Sequence, residues 1–154
     1  METAVLNETV TLTLPDGFEQ MSEEEMKGMQ FTEPGPGMCY KDTERHIIVS
    51  FGWKDAGLAS LLVSTKEIAK NMEPHLAKAL KPYGYRLLDI VQDTFGTKNV
   101  SGVKYEYTAQ DTPMYAESWG FKEGKTIFYI HYYTRKETEA ENKAVWEEIR
   151  ASLR

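Results

Sequence analysis

Ile127-Phe128-Tyr129-Ile130-His131-Tyr132-Tyr133 is the stretch that decides how this 154-residue chain folds. Successive side chains of a strand point to opposite faces. Here both faces are apolar or aromatic, with His131 the one exception. A strand of that composition is buried on both sides, so the stretch predicts a sheet with a covering layer on each face.

Three more strand-like stretches precede it, at 85–95, 100–109 and 114–122, and the aromatic strand itself runs over 126–135. Within 100–109, Val103, Tyr105 and Tyr107 alternate with Lys104, Glu106 and Thr108, the period of a half-buried strand. The links are Gly96-Thr97-Lys98-Asn99, Gln110-Asp111-Thr112-Pro113 and Glu123-Gly124. A parallel crossover needs about a dozen residues or more, so links this short demand antiparallel neighbours.

Further upstream, residues 58–80 place Leu58, Leu61, Leu62, Ile68, Met72, Leu76 and Leu80 at helical spacing. Ser64 and Glu67 form a capping box, which offers a second start for this helix. Pro74 predicts a kink, because the apolar stripe continues past it; Pro82 and Gly84 end the segment. A β-hairpin is expected from 38–41 and 46–53 around Asp42-Thr43-Glu44, with Ile47, Val49, Phe51 and Trp53 on one face and a bulge at Gly52. A strand over 9–14 turns Val10, Leu12 and Leu14 inward and closes on Pro15-Asp16-Gly17. A short helix over 22–29 begins with a capping box, Ser22 and Glu25. The C-terminal helix over 138–153 has a third such pair, Thr138 and Glu141, and buries Val145, Trp146, Ile149 and Leu153. The expected class is α+β. Residues 1–154 form a single domain, a three-layer α/β/α sandwich with a largely antiparallel sheet of about six to seven strands.

The chain carries 24 acidic and 18 basic side chains, a formal charge of −6. The excess is concentrated. Residues 1–40 hold eight acids against one base, Lys27, whereas residues 41–154 hold 16 acids and 17 bases. An acidic end repels phosphate backbones and no basic stripe offsets it, so nucleic acid is not an expected partner. A protein is, especially a basic one. Glu23-Glu24-Glu25 follows Ser22 and reads either as a docking patch or as a solvated helix start, where carboxylates suit the positive end of the helix dipole. No run approaches the roughly 18–20 apolar residues that cross a bilayer, so membrane insertion is not expected. The one cysteine, Cys39, has no disulfide partner within the chain, and the first ten residues lack a secretory pattern. Both point to a cytoplasmic location.

Candidate chemistry is sparse. Cys39 and His46 lie on opposite arms of the hairpin and could make a nucleophile–base pair, which would also need a setting that stabilises a thiolate. The alternative for Cys39 is a small buried apolar residue. His46, His75 and His131 are scattered singly, without metal-ligand spacing. Asp89 and Asp93 share a strand face but stand roughly 13 Å apart. Glu106 and Glu117 could meet across strands, or serve as exposed partners for lysines. His131 is expected to be held by a neighbour's hydroxyl or carboxylate. Gly35-Pro36-Gly37 lacks the helix and the Lys-Ser/Thr of a phosphate loop. Neither a metal nor an organic cofactor is expected. Candidate binding residues come from three places. The acids are Glu23, Glu24 and Glu25. The loop 32–37 offers Glu33, Pro34 and Pro36, since paired prolines lower the ordering cost. The aromatic set around Tyr115 and Trp119 reads as sheet core or, where exposed, as an interface.

Four features together resemble the Mog1/PsbP-like fold group. These are the Thr13-Leu14-Pro15-Asp16-Gly17-Phe18 run after the first strand, a hairpin ahead of one long helix, a meander ending in the aromatic strand, and the closing Arg150-Ala151-Ser152-Leu153. The resemblance spans nearly the whole chain. It implies an α/β/α sandwich. The group includes a Ran-GTPase-binding protein, an extrinsic photosystem subunit and uncharacterised bacterial proteins, so it also implies accessory binding without an enzymatic centre. No member's binding motif matches residue by residue, so no site is carried over. The expected function is non-enzymatic protein binding. The alternatives are a small-molecule carrier with an apolar pocket between the sheet and the long helix, and a hydrolase using Cys39 and His46.

Overall fold

In the computed structural model, which describes residues 1–27 and 37–154, the chain runs β1 (Glu2–Leu6), β2 (Val10–Leu14), β3 (Glu19–Gln20), α1 (Glu23–Lys27), β4 (Gly37–Asp42), β5 (Ile47–Asp55), α2 (Thr65–Leu80), β6 (Arg86–Phe95), β7 (Lys98–Ala109), β8 (Thr112–Glu123), β9 (Thr126–Arg135) and α3 (Glu139–Ala151). Short 3-10 turns at Gly57–Leu62, Lys81–Tyr83 and Lys136–Thr138 join some of these elements.

Strands β3 to β9 form one seven-stranded sheet in the order β3-β4-β5-β9-β8-β7-β6. Every neighbouring pair is antiparallel. Strand β9 lies in the middle, between β5 and β8, and both its apolar faces are covered. The links of the meander are tighter than the sequence suggests. Only Gln110 and Asp111 separate β7 from β8, and both have positive φ, the two-residue turn whose twist matches that of the flanking strands.

Helix α2 covers one face. Its Ile68, Ala69 and Met72 pack with Val103, Tyr105, Ala116, Ile127 and Tyr133 of the sheet. The other face is shared between α3 and a separate hairpin made by β1 and β2. Ala4, Leu6, Val10, Leu12 and Leu14 of that hairpin join Trp119, Phe121, Phe128 and Ile130 of the sheet, with Trp146 and Ile149 of α3, in one core. Three layers and a largely antiparallel sheet are therefore present, but the second covering layer is half helix and half hairpin. Strand β1 is absent from the sequence reading. It turns into β2 at Asn7 and Glu8, with φ of 49° and 62°, where glycine is the usual second residue. The chain's end locks onto this hairpin. Thr11 and Arg154 exchange backbone hydrogen bonds of 2.9 Å each way, and Thr13 N–H donates to Ser152 Oγ at 2.8 Å.

Two glycines let the layers approach. A Cβ on Gly102 would collide with the Trp119 indole on one face, and a Cβ on Gly120 would collide with Ile68 of α2 on the other. Both are close-approach positions in strands.

Several boundaries differ from expectation. The helix expected over 58–80 begins at Thr65, with Ser64 as its cap and the box with Glu67 complete. Leu58, Leu61 and Leu62 belong to the 3-10 turn ahead of it and face solvent. Helix α2 continues through Pro74 to Leu80. Gly52 pairs in register with Gly37 and Tyr129, without a bulge; the irregularity lies in β6, between Leu87 and Asp89. The Ser22–Glu25 box forms, but Thr138 does not cap α3, because its hydroxyl donates to the Arg135 carbonyl instead. Glu33, Pro34 and Pro36, and the end of the helix expected over 22–29, lie outside the described residues. Among the described residues no helix is long and apolar enough to cross a membrane.

Candidate functional sites on the two faces of the sheet

Under α3, strand register aligns Lys104, Glu117 and Tyr132 as one rung across β7, β8 and β9. Opposite the rung, Glu139, Lys143, Trp146 and Arg150 follow one another at steps of four, three and four along α3, which sets them on a single helix face. With Tyr115 these residues enclose a cavity of about 240 Å³. Glu117 is its buried hub. Oε1 accepts the indole N–H of Trp119 at 3.0 Å and of Trp146 at 2.8 Å, and Oε2 accepts the Tyr115 hydroxyl at 2.6 Å. One carboxylate thereby ties α3 to β8. Tyr132 stacks on Trp146, with rings 8° from parallel and centroids 4.5 Å apart. Its hydroxyl, although beside Thr134, makes no hydrogen bond of ordinary geometry. Burial, and then the charges of Glu117 and Glu139, hold the Tyr115 and Tyr132 phenols far above the ordinary range.

This geometry corrects two sequence assignments. Trp119 is fully buried and Tyr115 nearly so, so neither offers a docking surface; both spend their polar atoms on Glu117. Glu117, read from sequence as a partner for Glu106 or for exposed lysines, is the polar centre of the core. Glu106 instead accepts from Lys136 at 3.3 Å and pairs with Arg86 at 3.5 Å.

Under α2 the polar groups are neutral. His131 is buried, and burial pushes its pKa down to about 4. Its Nδ1 lies 2.7 Å from Ser118 Oγ, which in turn lies 2.8 Å from the Tyr105 hydroxyl, the hydroxyl contact expected of it. Cys39 is buried opposite Ser50, and burial raises its thiol pKa. His46 is exposed in the turn beyond the last hairpin pair, four positions or about 13 Å along the strand from Cys39. The two do not converge, and a raised thiol pKa is the reverse of what a thiolate nucleophile needs.

Beside α2 lies an open groove of about 440 Å³. Val63, Ile68, Met72, Ile127 and Tyr129 form its walls, with Lys54, Asn71 and His75 at the rim. The 3-10 turn leads straight into it through Val63. Leu58, Leu61 and Leu62 on that turn are 73%, 73% and 83% exposed. The turn is nevertheless held firmly. Asp55 accepts the Gly57 N–H at 2.8 Å, and Lys122 Nζ donates to the Ser60 carbonyl at 2.8 Å. The pocket expected between the sheet and the long helix is thus present, as an open groove. Sequence reasoning missed the exposed leucine turn that leads into it by assigning those residues to a helix.

The remaining candidates stand apart from both places. Glu23, Glu24 and Glu25 are exposed on α1, which buries nothing, and Glu25 already binds Lys41 and the Ser22 amide. Asp89 and Asp93 sit on the free edge strand β6, where each accepts the N–H of the next residue, Ile90 at 2.9 Å and Thr94 at 2.7 Å. Among the described residues no three His, Cys, Asp or Glu side chains gather as a metal cluster.

Comparison with protein-family models and with curated proteins gives no match. Solved structures do match. The chain is similar to cyanobacterial PsbP (CyanoP) from Synechocystis sp. PCC 6803, with a TM-score of 0.73 and 9% identity over 99% of this chain and 91% of that one. It is similar to a variant of Mog1, with a TM-score of 0.60 and 12% identity over 100% and 96% of the two chains. It is also similar to LpqN of Mycobacterium tuberculosis, described as involved in cell envelope biogenesis, with a TM-score of 0.57 and 14% identity over 94% and 82%. The fold is therefore Mog1/PsbP-like, as the sequence motifs implied. At these identities the likeness is one of fold, and a shared fold does not carry a shared site.

Proposed function

We propose that the chain is a non-catalytic accessory protein that docks an apolar, acid-flanked segment of a partner protein in the groove beside α2. The exposure of Leu58, Leu61 and Leu62 beside that groove carries this reading. Burying such a side chain is worth about 1.5–3 kcal/mol, and exposed apolar surface next to a concave wall marks interaction sites. The pinned turn means that little ordering cost is added on binding. Lys54 and His75 stand at the rim and, among the described residues, no carboxylate lines the groove, so acidic residues complement it. The basic partner expected from Glu23, Glu24 and Glu25 would dock elsewhere, on a helix whose three carboxylates are exposed.

The test is affinity capture from native lysate with three baits: the wild-type chain, Leu61→Asp/Leu62→Asp, and Glu23→Lys/Glu24→Lys. A protein held by the wild type is expected to fall about tenfold with the leucine variant, a loss of about 1.4 kcal/mol, and to stay with the charge-reversed one. Equal capture by the leucine variant rejects the groove. Loss with the charge-reversed variant alone moves the docking surface to α1.

A further inference from the structure

Building on the groove beside α2 as the docking site, we infer that its occupant is the leucine turn of a second copy of this chain, in a two-fold symmetric dimer. A two-fold interface needs one patch that complements itself, so that residue i of one copy meets residue j of the other and the reverse. The turn and the groove together form such a patch. The turn, Gly57–Leu62, is a ridge. In a 3-10 helix the side chains at i and i+3 eclipse, so Leu58 and Leu61 project together, with Leu62 next in the chain, and all three are exposed. The groove is the matching hollow. Ala56 and Val63, at the two ends of the turn, pack against the cluster of Ile68, Met72 and Ile127 that walls it. Ridge and hollow therefore adjoin on one surface. A two-fold axis between them seats each ridge in the other copy's hollow and covers three leucines from each copy in a single association.

Charge points to the same occupant. Asp55 precedes the turn and Glu67 follows it, both exposed. Among the described residues their carboxylates accept only from the Gly57 N–H and from Ser64. With Lys66, the segment 55–67 holds two acids against one base. The groove has the opposite sign. Lys54 stands at its rim over the Tyr129 ring, and among the described residues no carboxylate lines it. Each turn thus brings to the other copy the apolar, acid-flanked segment that its groove complements. Both halves are preformed. The Ser60 hydroxyl donates to the Gly57 carbonyl at 2.7 Å, which adds to the holds of Asp55 and Lys122 on the turn, so little ordering cost opposes pairing. One short turn in one groove from each side is a small contact beside the roughly 1,200–2,000 Å² of a standard stable interface, so the dimer is transient, with a Kd on the order of 10–100 µM.

The experiment is sedimentation velocity of the purified full chain at about 2, 20 and 200 µM, concentrations that bracket that Kd. Monomer is expected at the lowest concentration and mostly dimer at the highest. Leu61→Asp/Leu62→Asp removes the ridge and should weaken the Kd about tenfold or more. Asn71→Trp, at an exposed position on the rim, fills the hollow and should weaken it similarly. Both variants should keep the wild-type Tm at the lowest concentration, since neither position is packed in the monomer. Glu23→Lys/Glu24→Lys should dimerise as the wild type does. A wild type that stays monomeric at the highest concentration overturns the dimer but not the groove, which lysate capture of a different protein, lost with the leucine variant, would still support. A dimer that survives the leucine variant overturns the inference. So does one that is lost with the leucine variant and kept by Asn71→Trp, because its leucines would then meet each other and leave the groove empty.

Discussion

The two faces of the sheet solve the problem of buried polar groups in opposite ways. Beneath α3 a charged carboxylate, Glu117, is taken into the core and surrounded by indole and phenol donors. Beneath α2 the polar line Tyr105–Ser118–His131 is neutral, and the helix leaves an apolar groove open at its N-terminal end. The first face is bound together by buried hydrogen bonds. The second depends on apolar contact and covers itself incompletely. The lesson is that one sheet supports a face tied by buried polar bonds and a face left partly uncovered, and the docking proposed above uses the second.

The largest expected effect comes from emptying each face in turn. Trp146→Ala removes the ring stacked on Tyr132 and a donor to Glu117, and should cost about 3–5 kcal/mol in urea unfolding. Met72→Ala, at the wall of the open groove, should stay near 2 kcal/mol, the lower end for such truncations. Equal costs would abolish the contrast between the faces. Acid comes next. Burial holds the His131 pKa at about 4 in the folded chain, against an ordinary value of 6.5. The unfolded chain therefore binds an extra proton between those values. The contribution of neutral His131 is complete above pH 6.5 and is lost as pH falls toward 4, about 3 kcal/mol in all. Stability curves of the wild type and His131→Gln should converge over that window; parallel curves would show that His131 titrates normally. Glu117→Gln sharpens the other side. Its amide nitrogen must face one of three donors, so a loss of about 1–3 kcal/mol is expected in the same unfolding assay. The smallest effect belongs to Leu61→Asp/Leu62→Asp, which should leave stability within about 0.5 kcal/mol. A larger loss would mean that the leucines are packed in solution.

Much of this architecture could be read from the residues. The meander was legible because its links are too short for anything but hairpins, and because Val103, Tyr105 and Tyr107 alternate with polar neighbours. A covering layer on each face of the sheet followed from the two apolar faces of β9. The leucine turn was misread because apolar spacing ran across a break at Ser64, although the capping box at Ser64 and Glu67 marked the true start. Strand β1 was missed because Glu8 occupies a left-handed position usually held by glycine. The candidate site was the least legible part. A carboxylate between two inward aromatics, Tyr115-Ala116-Glu117-Ser118-Trp119, shares their face by the two-residue period, and that pattern signalled a buried acid. Which donors it would meet depended on Trp146, 29 residues further on. The cavity exists only once α3 has docked.

Strand β6 ends the sheet with ten residues and, among the described residues, no neighbouring strand on its outer side. Leu87, Leu88 and Ile90 along it are two-fifths exposed, a combination that invites further chains to add on. Asp89 and Asp93 answer this by occupying the amides of Ile90 and Thr94 themselves. Two carboxylates that stabilise no core therefore act as stoppers against fibril-like growth. Shelf life at high concentration would rest on them more than on any interior residue.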